Sequence, residues 1–243
     1  MNARVTLLAA ALVVLGLSGC GFAVGPVAAL PGSGNVKSES RDVHDFDRVE
    51  VAGAGTLTIT QGTAEALTIQ AEDNLLPHIG SAVRDHTLTL APLPGSSLAP
   101  TKPIQYDLTV KQLRAIQVSG ASDATATSLR ADQLDLEVSG AGRVQALRIT
   151  SSALTVHLSG SGTVTVSGQA ARQSVSVSGA GKYEAADLAS QQATVDVSGA
   201  GSSAVNVSEH LKATASGAGH VTYTGSPTVQ QEVSGAGGVA RSG

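Results

Sequence analysis

Seven copies of one five-residue pattern, about twenty residues apart, constrain this chain more than any other feature. They are V-S-G-A-S from Val118, V-S-G-A-G from Val138, Val177, Val197 and Val233, L-S-G-S-G from Leu158, and A-S-G-A-G from Ala215. The serines at 119, 139, 159, 178, 198, 216 and 234 are separated by 20, 20, 19, 20, 18 and 18 residues, and an earlier V-A-G-A-G begins at Val51. A fixed period of this length denotes one supersecondary unit stacked on copies of itself, because no single unit can bury its apolar side alone.

The residues between the motifs identify the unit. Two positions before each motif come Ile116, Leu136, Val156, Val175, Val195 and Ala213, with polar residues in between, so alternation of period two points one face inward. A second inward column follows the corner, with Val144 and Ala146, Val164 and Val166, Tyr183 and Ala185, and Val221 and Tyr223. Short strands joined by tight corners, stacked in parallel on equivalent strands, make an all-β fold: a parallel β-solenoid, or β-helix, with a repeat of roughly 20 residues. Seven coils with six intervals of about 4.8 Å give a length of roughly 30 Å.

Composition agrees. Hydrophobic residues reach 42%, yet Trp is absent and aromatics are 2%, so the core is thin and built of Val, Ala, Leu and Ile. Only Ala185 to Gln192 gives a weak helical pattern. Glycine, with 28 copies, supplies the corners. Gly120, Gly140, Gly160, Gly179, Gly199, Gly217 and Gly235 are expected to take positive φ and to allow close backbone approach. Ser119, Ser139, Ser159, Ser178, Ser198, Ser216 and Ser234 are expected to form a ladder whose hydroxyls bond to one another or to the corner backbone.

The start of the chain has a different character. Arg4 precedes an uncharged run from Val5 to Leu17, the length of a secretory signal rather than of a membrane span, and Leu17-Ser18-Gly19-Cys20 resembles a bacterial lipobox. Cys20 is the only cysteine, so it is expected to be a lipidation site and not half of a disulfide. Residues 1–19 read as a lipoprotein signal peptide, 20–42 as the lipidated Cys and a flexible tether, 43–103 as an irregular N-terminal part of the solenoid, and 104–243 as its regular repeats. Gly21, where Asp would favour inner-membrane retention, places the expected location at the cell envelope, on the outer membrane in an organism that has one.

The net charge is −4, or −5 once Arg4 leaves with the signal, and no basic run exists, which excludes nucleic acid as a partner. Calcium sites in Gly-rich β-helices need a repeated Asp, and these motifs carry none. The six histidines lack zinc-ligand spacing, and S-G-A-G leads into a strand where a phosphate loop would lead into a helix. No metal or cofactor is expected. One constellation resembles a hydrolytic triad: stacking puts Glu137, His157 and Ser176 on successive coils, but on a flat strand that lacks an oxyanion site.

The stretch Val43-His44-Asp45-Phe46-Asp47, with Val49-Glu50-Val51, Leu57-Thr58-Ile59-Thr60-Gln61-Gly62, Glu72-Asp73-Asn74-Leu75-Leu76-Pro77 and the serial S-G-A-G repeats, resembles a bacterial envelope family. That family is described as a putative auto-transporter adhesin with a head GIN domain, and the resemblance covers about residues 43–237. It implies a β-solenoid at the envelope, with adhesion as its role and no catalytic residues to transfer. No translocator barrel remains outside the repeats, so the chain reads as a displayed head, anchored by lipid.

The expected function is therefore a non-enzymatic, lipid-anchored envelope protein that displays a solenoid surface for adhesion or protein interaction. An envelope-stress sensor or assembly factor is a second reading. A carbohydrate-binding or carbohydrate-cleaving β-helix is a third. The expected partners are the membrane, through the lipid, and a surface protein or glycan. The open C-terminal coil is expected to be covered by a partner, by end-to-end self-association, or by its own fraying.

Overall fold

The structure, a computed structural model, describes residues 29–242. Its regular part is a right-through stack of parallel strands. The strands Ala115–Gly120, Arg130–Gly140, Arg143–Gly160, Thr163–Gly179, Lys182–Gly199, Ser202–Gly217 and Thr228–Gly235 lie in register, so that each motif sits directly on the one before it. Leu136, Val156 and Val175 are successive Cα partners, as are Glu137, His157 and Ser176. Ile116, Leu136, Val156, Val175, Val195 and Ala213 are all at most 2% exposed. The second column, from Val144 and Ala146 through Val221, is equally buried, while Tyr223 is half-buried. The chain is thus a β-solenoid with a thin aliphatic lumen.

The stack starts earlier than the boundary at 104 expected from the sequence. Arg48–Gly53 pairs in parallel with Ala115–Gly120, with Ala52 against Ser119 and Gly53 against Gly120, so the V-A-G-A-G at Val51 forms a regular rung. Thr56–Gln61 lies likewise beneath Asp123–Thr127. The residues between these rungs leave the stack and close its N-terminal end. Ala66–Glu72 runs antiparallel to both Val36–Arg41 and Gln105–Val110, and the hairpin Ile79–Arg84/Thr87–Pro92 lies below Arg48–Gly53. Phe46, Leu75, Leu76 and Ile79 pack into this end.

The tether assigned to 20–42 is corrected over its described residues. Leu30–Pro31 pairs with Leu98–Ala99, and Val36–Arg41 is a strand of six residues. Gly and Pro punctuation suggested a linker there, but backbone pairing with a distant segment decides the structure, and local composition does not report it. The weak helical pattern at Ala185–Gln192 is also a strand, part of Lys182–Gly199, where Ala185, Leu188 and Ser190 face the lumen around a register shift.

Two polar features shape the interior. Gln173 stands in the column of Leu154 and Leu211; it donates to Ser190 Oγ (2.7 Å) and accepts from the buried Tyr183 hydroxyl (3.0 Å), and Ser190 donates to Asn206 O (2.6 Å). Ala193 and Ser203, the register neighbours of Gln173 and Tyr183, are small enough to make room for the phenol. In the cap, the buried Glu72 carboxylate accepts from the Thr101 hydroxyl and amide and from the amides of Gly34 and Lys102. It ties the 33–35 turn to the 100–102 loop.

The Thr101 hydroxyl, followed by those amides, holds the Glu72 pKa below its ordinary value of 4.5. A carboxylate with a lowered folded pKa stabilises the fold fully above that ordinary value, and the contribution is lost as pH falls through the folded value. Melting temperature is therefore expected to fall on acidification below 4.5, and Glu72→Gln is expected to lower stability at neutral pH while flattening that acid slope. Parallel acid dependences in wild type and variant would show that Glu72 is not the group responsible.

Candidate functional site

The corners are the first surface element. All seven motif glycines, from Gly120 to Gly235, have positive φ, between +72° and +112°. At Gly160 a Cβ would lie 2.5 Å from the carbonyl oxygen of Gly140, so both the conformation and the space exclude a side chain. The second glycine of the motif is the residue that sequence reasoning missed. Gly162 is buried, with ordinary φ, yet a Cβ there would meet Gly142 O at 2.6 Å and Val138 Cγ1 at 2.7 Å. The signal was present in the repetition of that position, but only the coil spacing reveals that it is occluded.

The seven serines stand one above the next as Cα partners, from Ser119 to Ser234. Alignment does not produce bonding: among the described residues none of these hydroxyls bonds to another ladder serine. The corner carbonyls are already taken by amides, for example Gly140 O by Ser161 N (2.9 Å). The hydroxyls are thus left toward solvent along one edge.

The outward column next to them contains Gln117, Glu137, His157, Ser176, Asp196, Thr214 and Glu232. Glu137, His157 and Ser176 are exposed neighbours, but among the described residues the one side-chain hydrogen bond to this trio comes from Gln117 to Glu137 (3.0 Å), and none joins the imidazole to the carboxylate or to the hydroxyl. Their strands are extended and stacked, with amides committed to the parallel ladder, so no pair of free N–H groups faces Ser176. A fluorophosphonate probe is expected to leave the protein unlabelled. Labelling that disappears in Ser176→Ala and in His157→Ala would make this column an active site.

A concave surface runs along the stack at residues that fall midway in sequence between successive S-G-A-G motifs. A groove of about 840 Å³ is lined by Gln61, Lys111, Arg114, Arg130, Asp132 and Gln133, and reaches Thr150 and Ser151. A shallower one of about 400 Å³ begins at those same two residues and continues past Gln169, Gln191 and Ser208. Together they span successive coils. Gln61 fixes the wide end, bonding to Lys111 O, Arg130 O and Arg130 N. Lys111 pairs with Glu65 (3.1 Å) and Arg114 with Asp47 (3.2 Å), whereas Arg130 has no ion pair among the described residues. The groove offers hydroxyls, amides, the Asp132 carboxylate and, beside the two paired cations, the Arg130 guanidinium to an elongated ligand.

Aromatic platforms are missing from it. Phe46, Tyr106 and Tyr183 are turned into the core, where burial pushes the Tyr106 phenol up to about 12. Among the described residues no three His, Cys, Asp or Glu side chains gather as metal ligands, and no helix is long and apolar enough to cross a membrane. Cys20 lies outside the described residues.

Comparison with solved structures finds the same architecture. A crystal structure described as a putative adhesin from Bacteroides fragilis superposes with a TM-score of 0.80 at 27% identity, covering 88% of this chain and 99% of that one. A "putative lipid binding protein" from Parabacteroides distasonis gives 0.74 at 20% identity, over 89% and 100% of the two chains. A putative adhesin from Parabacteroides merdae gives 0.68 at 21% identity, over 88% and 99%. No match was found among curated proteins. The sequence model of one family, described as "Putative auto-transporter adhesin, head GIN domain", matches residues 45–227, and the chain belongs to that family.

Proposed function

We propose that this protein is a non-enzymatic adhesion or interaction module of the bacterial envelope, held to the membrane by lipid on Cys20, and that its ligand is a protein bound along the lengthwise groove. The observation that carries this reading is the groove itself. It crosses several coils and presents hydroxyl and amide groups in an extended row. Family membership supports adhesion, as do the descriptions of the Bacteroides fragilis and Parabacteroides merdae structures. A protein ligand is favoured over a glycan because sugar rings are commonly held against aromatic faces, and among the described residues Phe46, Tyr106 and Tyr183 are buried and no aromatic lines the groove.

The lipid anchor rests on the lipobox and on the solitary cysteine. Radioactive palmitate is expected to label the wild-type chain, and Cys20→Ser is expected to block both labelling and maturation. For the groove, immobilised protein is expected to retain an envelope protein, and Arg130→Glu combined with Gln191→Arg, at an exposed groove position, is expected to abolish retention without changing the melting temperature. Retention that survives the double variant, or that is lost when the extract's glycans are oxidised with periodate, would overturn this assignment.

A further inference from the structure

The two ends of the solenoid are built differently. At the N-terminal end the outer strand Val36–Arg41 runs antiparallel and carries Lys37, Glu39 and Arg41, engaged by Asp73 and by each other (3.3 and 3.0 Å), which is how natural sheets discourage edge pairing. At the other end Thr228–Gly235 pairs with Ser202–Gly217 on one side, and among the described residues nothing pairs with its other side. Lumen positions come to the surface there. Val229 is half-buried and Val233 is 43% exposed, although their column partners Leu211 and Ala215 are buried.

The sequence of this open strand is a near-palindrome centred on Gln231: Thr228-Val229-Gln230-Gln231-Glu232-Val233-Ser234. An edge strand that meets a twofold-related copy of itself pairs antiparallel, and each residue then faces the residue equidistant on the other side of the centre. About Gln231 this places Val229 against Val233, Gln230 against Glu232, and Thr228 against Ser234. Each pair is matched in chemistry: two valines over the lumen, an amide donor to a carboxylate, and two hydroxyls. Gln231 meets its own copy. It stands in the column of Ile116, Val156 and Ala213, where an amide facing solvent gains nothing from the lumen but one facing an identical amide can both donate and accept.

A twofold axis normal to the sheet that carries this strand reverses the strand and stacking directions but leaves inward positions inward, so the two lumens join. The symmetric contact also closes at two copies, since the charged N-terminal edge offers no second site of the same kind. We infer that a second copy of this chain docks end to end through residues 228–234, antiparallel about Gln231, to form an isologous dimer with one continuous solenoid. This inference concerns the end of the stack and is independent of the groove.

Because residue 231 opposes itself, a single substitution there places like charges face to face. In sedimentation velocity across a dilution series, wild type is expected to show a monomer–dimer equilibrium. Gln231→Lys and Gln231→Glu, each alone, are expected to weaken dimerisation about tenfold or more. An equimolar mixture of the two variants is expected to restore a dimer, which also shows that both are folded. A wild-type monomer at every concentration would overturn the inference, as would a dimer indifferent to either variant or a mixture that fails to recover.

Discussion

Val156→Asp is expected to lower the stability of the solenoid by about 3–5 kcal/mol, the cost of an uncompensated charge in an apolar interior. Val156 has no exposed surface and lies between Leu136 and Val175 in the lumen. No polar group stands in that part of the column to receive a carboxylate, and neighbouring coils cannot separate without breaking backbone ladders on both sides. His157→Asp, one residue along, points outward beside Glu137 and Ser176. Its cost is expected to stay below about 1 kcal/mol, chiefly like-charge repulsion with Glu137 in water. Denaturant titrations of the two variants make the comparison, and equal losses would show that the alternation assigned to this strand is wrong.

The second large effect is expected at a residue with nothing unusual in its φ. Gly162→Ala introduces a methyl that must displace both the backbone of Gly142 and the side chain of Val138. The coil spacing is fixed by hydrogen bonds such as Thr163 N to Gly142 O (3.1 Å), so the stack cannot open locally, and overpacking of this kind costs about 1–3 kcal/mol. Gly160→Ala adds a strained φ of +103° to a similar clash, for a total of about 2–4 kcal/mol. Thermal unfolding should rank Gly160→Ala as the more harmful and both as clearly worse than Ala180→Ser, at an exposed position between two such glycines. If Gly162→Ala melts with wild type, the corner is not as tight as the coil spacing requires.

The legible part of this molecule was the part that repeats. Ile116, Leu136 and Val156 announce an inward column because each strand presents the same alternation, and stacking converts sequence period into register. The cap was opaque for the opposite reason. Val36–Arg41 and Ala66–Glu72 occur once, and they pair across about thirty residues, so neither alternation nor turn chemistry in the 20–42 segment betrays that it is structured. Glu72 reads as a surface acid until its partners at 34, 101 and 102 are brought around it. Ala185–Gln192 misleads because its alanines and glutamines favour helix locally, whereas ladders to both neighbouring coils impose extension.

The candidate site divides along the same line. The glycine corners and the serine alignment follow from the motif, although the hydroxyls stay unbonded to each other because the amides claim the corner carbonyls. The groove does not follow from any motif. Gln61, Arg130 and Ser151 belong to three different coils and converge only because Thr56–Gln61 lies two rungs from the strand that carries Thr150 and Ser151. A linear pattern search has no means of joining them.

Cross-linking at defined register tests the stacked solenoid, and everything built on it, most directly. Thr155 and Ser174 are Cα partners on adjacent parallel strands, and both face outward. Cysteines at 155 and 174 are therefore about 4.8 Å apart at Cα, within the span of a disulfide, while cysteines at 155 and 176 are offset by two residues along the strand and lie beyond about 7 Å. With Cys20 blocked, mild oxidation is expected to close the 155–174 pair rapidly and to leave the 155–176 pair reduced; closure of the second pair in preference to the first would contradict the stacked register.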